Sequence, residues 1–132
     1  MTDSAFCRTE MLLGPEALDR LKAARVAVFG VGGVGGYVVE ALARAGVGAL
    51  DLFDADTVSE SNRNRQLLAL CSTLGRPKAE VAAERVRDIN PACAVTPHVL
   101  FYLPETADSV DLRDFTFVVD AIDTVSAKVE LA

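Results

Sequence analysis

The hydrophobic positions of this chain fall into short continuous runs, most of them followed by glycines or acidic residues. The run Arg25–Phe29 shows no polar alternation, which favours a strand buried on both faces of a parallel sheet. Ala49–Phe53 predicts a second strand, residues 93–99 a third and residues 115–119 a fourth. The sequence therefore predicts a sheet of short strands.

Apolar residues at helical spacing lie between these runs. Pro15 is suited to a first helical turn, and residues 37–45 show a helical pattern that Gly46 closes. Lys78–Ile89 carries an apolar face and follows Pro77. We also expect helix in the later part of residues 56–70 and in residues 124–132, and a loop or short helix in residues 103–114.

The order of these elements predicts an α/β protein with a Rossmann-like three-layer fold and a mostly parallel sheet. Residues 1–24 are expected to form an N-terminal leader and helix, and residues 25–132 the layered domain. The last predicted helix reaches residue 132 without a glycine, a proline or a polar tail. We therefore expect the domain to be truncated at its C-terminus.

Composition narrows the class of protein. The 132 residues include 13 basic and 19 acidic side chains, a net charge of −6, which argues against stable DNA binding. No apolar run approaches the roughly 20 residues of a membrane span. Three scattered cysteines without a C-x-x-C pair favour a reducing, cytoplasmic setting. Cys71 is expected to be buried on a helix, and His98 to be structural.

A glycine-rich loop joins the first strand to the next helix. The loop contains Gly30, Gly32, Gly33 and Gly35. Because these residues have no side chains, their backbone N–H groups are able to approach a phosphate. Close packing of strand against helix would explain one glycine, but not five within the seven residues 30–36. Asp54, at the end of the second strand, stands where Rossmann folds bind ribose hydroxyls. The loop indicates a bound nucleotide without distinguishing NAD, FAD and ATP.

The charged residues that follow Asp54 help to decide which of these three ligands the loop binds. Residues 61–79 contain no acid and four basic residues, Arg63, Arg65, Arg76 and Lys78. Asn62, Arg65 and Gln66 are spaced to share one face of a helix. Guanidinium and ammonium groups near a glycine-rich loop suit a triphosphate, which favours ATP. The alternative is a solvated helix face, to which charged residues commonly belong.

Two acids follow the predicted fourth strand. Open α/β sheets bind ligands at the carboxyl ends of their strands, where a carboxylate is able to hold Mg²⁺ against phosphate oxygens. We interpret Asp120 as a cap of the strand end and Asp123 as a magnesium ligand.

These residues together resemble the ThiF/MoeB/HesA family, relatives of the ubiquitin-activating enzymes. The matching motifs are the glycine loop, Asp54-x-Asp56, Ser61-Asn62-x-Asn64-Arg65-Gln66, Lys78 and Asp120-Ala-Ile-Asp123. Residues 6–14 and the phrase Asp88-Ile-Asn-Pro91 are most similar to the branch of tRNA threonylcarbamoyladenosine dehydratases. The family's adenylation domain is considerably longer than this chain, so the resemblance covers its N-terminal part.

The resemblance implies an ATP-binding domain, residues 25–132, that adenylates a carboxylate and releases pyrophosphate. It implies that Gly32 and Gly33 lie against the phosphates, that Asp54 binds ribose, and that Asp56 and Gln66 belong to the nucleotide site. Phosphate binding and charge stabilisation would fall to Asn62, Arg65 and Lys78, and Mg²⁺ binding to Asp123. Arg8 matches the leader arginine that family homodimers send into the neighbouring subunit's ATP site.

The resemblance leaves two carboxylates open. In the dehydratase branch the carboxylate belongs to the threonylcarbamoyl group on a tRNA adenosine, which cyclises as AMP leaves. In the sulfur-carrier branch it is the C-terminal glycine of a ubiquitin-like protein. An NAD-binding regulatory or dehydrogenase domain is less favoured, because it does not explain Arg65, Lys78 and Asp123 together.

Overall fold

The computed structural model describes residues 5–100 and 111–122. The strands in these ranges are β1 (Arg25–Phe29), β2 (Ala49–Phe53), β3 (Ala94–His98) and β4 (Phe117–Asp120). They form one parallel sheet in the order β3-β2-β1-β4. This is the predicted Rossmann-like arrangement. The strands β2 and β3 are added on one side of β1 and β4 on its other side, and such sheets bind ligands at the point between β1 and β4 where the order changes.

In the described part of the chain, four α-helices accompany the strands: α1 (Cys7–Leu13), α2 (Pro15–Ala23), α3 (Gly33–Ala45) and α4 (Lys78–Ile89). Pro15 opens α2, and Gly46 ends α3 in the left-handed conformation at φ 95°, both as predicted. Short 3-10 turns cover Glu60–Asn64, Cys71–Thr73 and Leu112–Asp114.

The two faces of the sheet are packed differently. One face carries Val26, Val28, Leu50 and Leu52, and α3 and α4 cover it with side chains that include Val39, Ala43, Ala82, Ala83 and Val86. The other face carries Ala27, Phe29 and Phe53, which pack with Leu100, Leu112, Phe115 and Ile122. Burial on both faces explains why β1 and β2 lack the alternating pattern of a half-exposed strand.

The start of α3 and the segment 56–70 differ from the prediction. The helix α3 begins at Gly33 rather than at residue 37, because helical backbone continues into the glycine motif. Residues 56–70 form only the 3-10 turn Glu60–Asn64, since the capping interactions of Ser59 and Asn62 close a tight turn there.

Strand ends and one cysteine differ as well. The strand β3 is one residue shorter at each end than predicted. The strand β4 covers Phe117–Asp120 rather than residues 115–119, because the N–H of Phe115 closes the 3-10 turn Leu112–Asp114. Cys71 is exposed, since its 3-10 turn lies at the surface.

Several predicted features lie outside the described residues: Asp123, the helix expected in residues 124–132, and most of residues 103–114. Within the described ranges, no helix combines the length and apolar character that crossing a membrane requires.

Candidate nucleotide site

The glycine loop occupies the carboxyl end of β1, beside the end of β4. Gly30 has φ 91°, and a Cβ there would lie 2.6 Å from the carbonyl oxygen of Ala121. A Cβ on Gly35 would overlap the carbonyl oxygen of Gly30. Close packing therefore requires both Gly30 and Gly35, so the prediction that packing explains only one glycine was wrong.

Gly32 and Gly33 have a different environment. A Cβ on Gly33 would meet nothing within 4 Å, and one on Gly32 would make ordinary contact, at 3.4 Å, with Nε2 of Gln66. Packing among the described residues therefore does not explain why both positions lack a side chain. They stand at the N-terminus of α3, whose first N–H groups and positive dipole end favour an anion.

The carboxylate of Asp54 connects the end of β2 to the glycine loop. Its Oδ2 accepts a hydrogen bond from the backbone N–H of Val31 at 2.9 Å, and its Oδ1 accepts one from the N–H of Asp56 at 2.8 Å. Each carboxylate oxygen has a second acceptor position. Asp54 is therefore able to shape the loop and still accept a bond from a ribose hydroxyl.

Asn62, Arg65 and Gln66 do not share a helical face. Asn62 is 8% exposed and its Oδ1 accepts hydrogen bonds from the N–H and the hydroxyl of Ser59, both at 2.9 Å. The Asn62 carbonyl accepts bonds from the N–H groups of Arg65 and Gln66. Asn62 thus fixes the turn, and the predicted single face was wrong because the segment is a 3-10 turn that ends before Gln66.

The side chains of Arg65 and Gln66 point to different partners. The Arg65 guanidinium is exposed and donates to the carbonyl of Ser61 and to Oδ1 of Asn64, at 3.3 and 3.0 Å. The Gln66 amide faces Gly32. Of the two, Gln66 lies beside the loop, while Arg65 makes exposed local bonds that a phosphate would readily replace.

Lys78 is the first residue of α4 and is only 6% exposed. Its backbone N–H donates to the carbonyl of Asp56 at 2.9 Å, which places it beside the end of β2. Within residues 5–100 and 111–122, no hydrogen bond or ion pair joins its ammonium to another side chain. Since no buried side-chain nitrogen lacks a partner among the described residues, this ammonium reaches solvent at the end of a buried side chain. An accessible ammonium without a side-chain partner is suited to bind a phosphate.

The other predicted residues are placed as follows. Arg8 lies exposed on α1. Oδ1 of Asp120 accepts a hydrogen bond from the N–H of Ile122 at 3.1 Å, which agrees with its predicted capping role. No cluster of three metal-ligating side chains occurs in the described part of the chain. Carboxylates are oxygen ligands that Mg²⁺ prefers, and those of Asp54 and Asp120 lie at the ends of β2 and β4.

Sequence reasoning missed a network on the second face of the sheet. Asp51 is 4% exposed and accepts hydrogen bonds from Arg25 and from Nε2 of His98. The signal was a carboxylate in the middle of the apolar run of β2, since a buried charge requires partners. The partners themselves depend on strand register, which the sequence does not show.

Two surface grooves, each about 600 Å³, lie away from the glycine loop. One, of 620 Å³, runs along α4 and is lined by residues that include Leu68, Arg76 and Glu84. The other, of 580 Å³, lies between α2 and β4. Neither is lined by Gly32, Gly33, Asp54 or Lys78, so the chemistry points to the loop and not to these grooves.

Comparison with known proteins supports the assignment of the loop. The model of the ThiF family matches residues 6–132. The chain is 47% identical over 126 residues to the tRNA threonylcarbamoyladenosine dehydratase of Bacillus subtilis, covering 96% of this chain and 50% of that protein. It is 42% identical over 116 residues to the molybdopterin-synthase adenylyltransferase of Salmonella typhimurium, covering 88% and 46%.

A solved structure shows the same fold with a nucleotide. The Escherichia coli tRNA N6-threonylcarbamoyladenosine dehydratase in complex with ATP superposes with a TM-score of 0.90 at 45% identity, covering 96% of this chain and 52% of that one. The chain thus spans about half the length of the relatives it matches.

Proposed function

Because the chain belongs to the ThiF family, we propose that it is the N-terminal part of an enzyme that binds ATP and adenylates a carboxylate. Two observations carry this proposal. Gly32 and Gly33 form an open cradle at the start of α3. Lys78, whose ammonium has no side-chain partner in the described part of the chain, is linked by hydrogen bonds through Asp56 and Asp54 to the same loop. An NAD-binding domain would leave that ammonium without a role. The similarity to a structure solved with ATP supports the same reading.

The chemistry requires positioning and charge neutralisation rather than a protein nucleophile. An oxygen of the substrate carboxylate bonds to the α-phosphorus of ATP, and the bond to pyrophosphate breaks. Backbone N–H groups at Gly33 would bind phosphate oxygens, Asp54 would accept a ribose hydroxyl, and Lys78 and Arg65 would offset the charge on the phosphates. Cys93 is an unsuitable nucleophile, because burial raises the pKa of its thiol and so lowers its reactivity.

We propose that Mg²⁺ accompanies the ATP and that Asp123, which follows β4 in the sequence, would hold it. Bound there, the ion would neutralise charge on the phosphates. Asp120 is engaged in capping its own strand end. The assignment to Asp123 rests on the resemblance and on its place after β4.

We propose tRNA as the substrate. The relatives at 47% and 44% identity are both tRNA threonylcarbamoyladenosine dehydratases. The carboxylate would be that of the threonylcarbamoyl group, and once it is adenylated, an atom of the carbamoyl group attacks the activated carbonyl and AMP leaves. The net change is loss of water from the tRNA group with conversion of ATP to AMP and pyrophosphate.

A ubiquitin-like sulfur carrier is the second candidate, favoured by the 42% identity to a molybdopterin-synthase adenylyltransferase. The two are distinguished by incubating the protein with ATP and either tRNA carrying threonylcarbamoyladenosine or a sulfur-carrier protein ending in Gly-Gly. We expect pyrophosphate release with the tRNA. Release only with the carrier would favour the second candidate, and release with neither would contradict both.

We further propose a homodimer in the cytoplasm, in which Arg8 of one subunit neutralises phosphate charge in the other. The exposed position of Arg8 on α1 is compatible with this role. Mixing an Arg8→Ala protein with a Lys78→Ala protein would create heterodimers with one intact site. Activity should return on mixing, and its failure to return after confirmed subunit exchange would exclude the cross-subunit role.

A further inference from the structure

A row of stacked rings crosses the sheet directly behind the proposed nucleotide site. The strand register places Phe29 of β1 opposite Phe53 of β2, and Phe53 opposite His98 of β3. The Phe29 and Phe53 rings stack at 4.4 Å between centroids, and the Phe53 and His98 rings at 4.3 Å, with interplanar angles of 8° and 6°. These residues end their strands, so the row lies beneath the loops that follow.

A buried carboxylate fixes the imidazole at the end of this row. Nε2 of His98 lies 2.9 Å from Oδ2 of Asp51, and because an ionised carboxylate only accepts, Nε2 is the donor. Arg25 binds the same carboxylate through Nε at 3.2 Å and Nη2 at 3.3 Å. His98 is therefore held both by stacking and by a charge-assisted hydrogen bond.

The backbone of the same residues holds the nucleotide loops. The carbonyl of His98 accepts a hydrogen bond from the N–H of Asp54 at 3.1 Å, and the carbonyl of Phe53 accepts one from the N–H of Gly30 at 2.8 Å. Asp54 in turn binds the N–H of Val31. A displacement of His98 would thus act directly on Asp54 through one hydrogen bond, and on the glycine loop through the bond between Asp54 and Val31.

We propose that His98 is a positioning residue of the nucleotide site, which holds Asp54 and the glycine loop in place through its bond to Asp51 and its stack on Phe53. The sequence alone indicated only a structural histidine. The inference rests on the proposed function, since it takes the Asp54 region to be where ATP binds. Its effect is a difference in nucleotide affinity rather than in stability alone.

The test separates positioning from general stability. His98→Phe keeps a ring on Phe53 and removes the donor to Asp51, while His98→Gln keeps a donor and removes the ring. Glu40→Gln is the matched control, because it removes an ion pair with Arg85 that joins α3 to α4 and has no bond to Gly30 or Asp54. Thermal unfolding, ATP titration by calorimetry and amide spectra by NMR are measured for each variant.

We expect His98→Phe to weaken ATP binding by about fivefold, the effect of one lost hydrogen bond, and His98→Gln to recover part of it. Glu40→Gln should leave ATP affinity unchanged even where it lowers the unfolding temperature. Without nucleotide, the amide signals of Gly30, Val31 and Asp54 should shift in His98→Phe and not in Glu40→Gln.

Two results would overturn the inference: amide signals of the loop that stay in place in both His98 variants, or ATP affinities that follow the unfolding temperature equally in the His98 variants and in Glu40→Gln. If His98→Phe does not fold, His98→Gln carries the same comparison. Loop signals that shift in a protein that binds no ATP would contradict the proposed function while supporting the link from His98 to the loop.

Discussion

The carboxylate of Asp54 accepts a hydrogen bond from the backbone N–H of Val31, inside the glycine loop, at 2.9 Å. A second bond, from the N–H of Asp56, occupies its other oxygen. The residue that the sequence assigns to ribose is thus also the tie between β2 and the loop after β1. Its removal should affect both the shape of the site and the stability of the fold.

We predict that Asp54→Ala lowers the free energy of unfolding by about 1–3 kcal/mol, because two backbone donors lose a charged acceptor. Asp54→Asn keeps one acceptor oxygen and should lose less. Urea denaturation measures both changes, with Asp19→Ala, an exposed acid on α2, as control. Equal stability of Asp54→Ala and Asp19→Ala would show that the tie contributes nothing.

Gly33 and Gly35 should respond oppositely to the same substitution. Gly35→Ala places a Cβ on the carbonyl oxygen of Gly30 and should cost about 3 kcal/mol of stability, the upper range for overpacking. Gly33→Ala meets open space within a helix and should be neutral or stabilising by up to about 1 kcal/mol.

The functional effect should be reversed at these two positions. We expect Gly33→Ala to weaken ATP binding while the fold stays intact, because the methyl group occupies space reserved for a phosphate. Thermal unfolding and ATP titration on the two variants separate the cases. A Gly33→Ala protein that binds ATP as tightly as the wild type would contradict phosphate binding at Gly33.

Predictions from the sequence agreed with the structure where residues close together in the chain determine an element. The bounds of β1, β2 and α4 matched the prediction because runs of apolar residues and the Pro77 and Asn90 boundaries determine them. The start of α3 was wrong because Gly33 and Gly35 weaken helix propensity, while packing of Gly35 against Gly30 stabilises the helix.

The sequence did not predict contacts between residues that are far apart in the chain. Asp51 and His98 are 47 positions apart, and only the register of β2 with β3 brings them together. Asn62 was expected to face a ligand with Arg65 because spacing was read as α-helical. A 3-10 turn rotates neighbouring side chains differently and leaves Asn62 buried in its own cap.

Lys78 should matter for the ligand more than for the fold. Lys78→Met keeps the aliphatic volume and removes the ammonium, so the fold should be retained, while ATP affinity falls by about tenfold to a hundredfold, the effect of one charge-assisted phosphate contact. Arg65→Ala should weaken binding in the same range. Lys22→Met, at an exposed position of α2, is the control. Unchanged ATP affinity in Lys78→Met would contradict a phosphate-binding role.

The link between α3 and α4 predicts a pH dependence of stability. Hydrogen bonds from Arg85 and Arg44 lower the pKa of Glu40 below its ordinary 4.5. Since the folded state holds the ionised form, this contribution to stability is complete above pH 4.5 and is lost as pH falls through the lowered pKa.

Glu40→Gln should remove that part of the acid sensitivity. Urea denaturation of wild type and variant at pH 7 and pH 3 gives the comparison: the difference in free energy of unfolding should be larger at pH 7. A difference that is equal at both pH values would show that the Glu40 ion pairs do not contribute to stability.

The most direct test of the account is the choice of nucleotide. Calorimetric titration of the protein with ATP and Mg²⁺, and separately with NAD, in one buffer compares the two ligands under the same conditions. The open glycine cradle at Gly33 and the accessible ammonium of Lys78 predict tighter binding of ATP. Tighter binding of NAD would contradict the account.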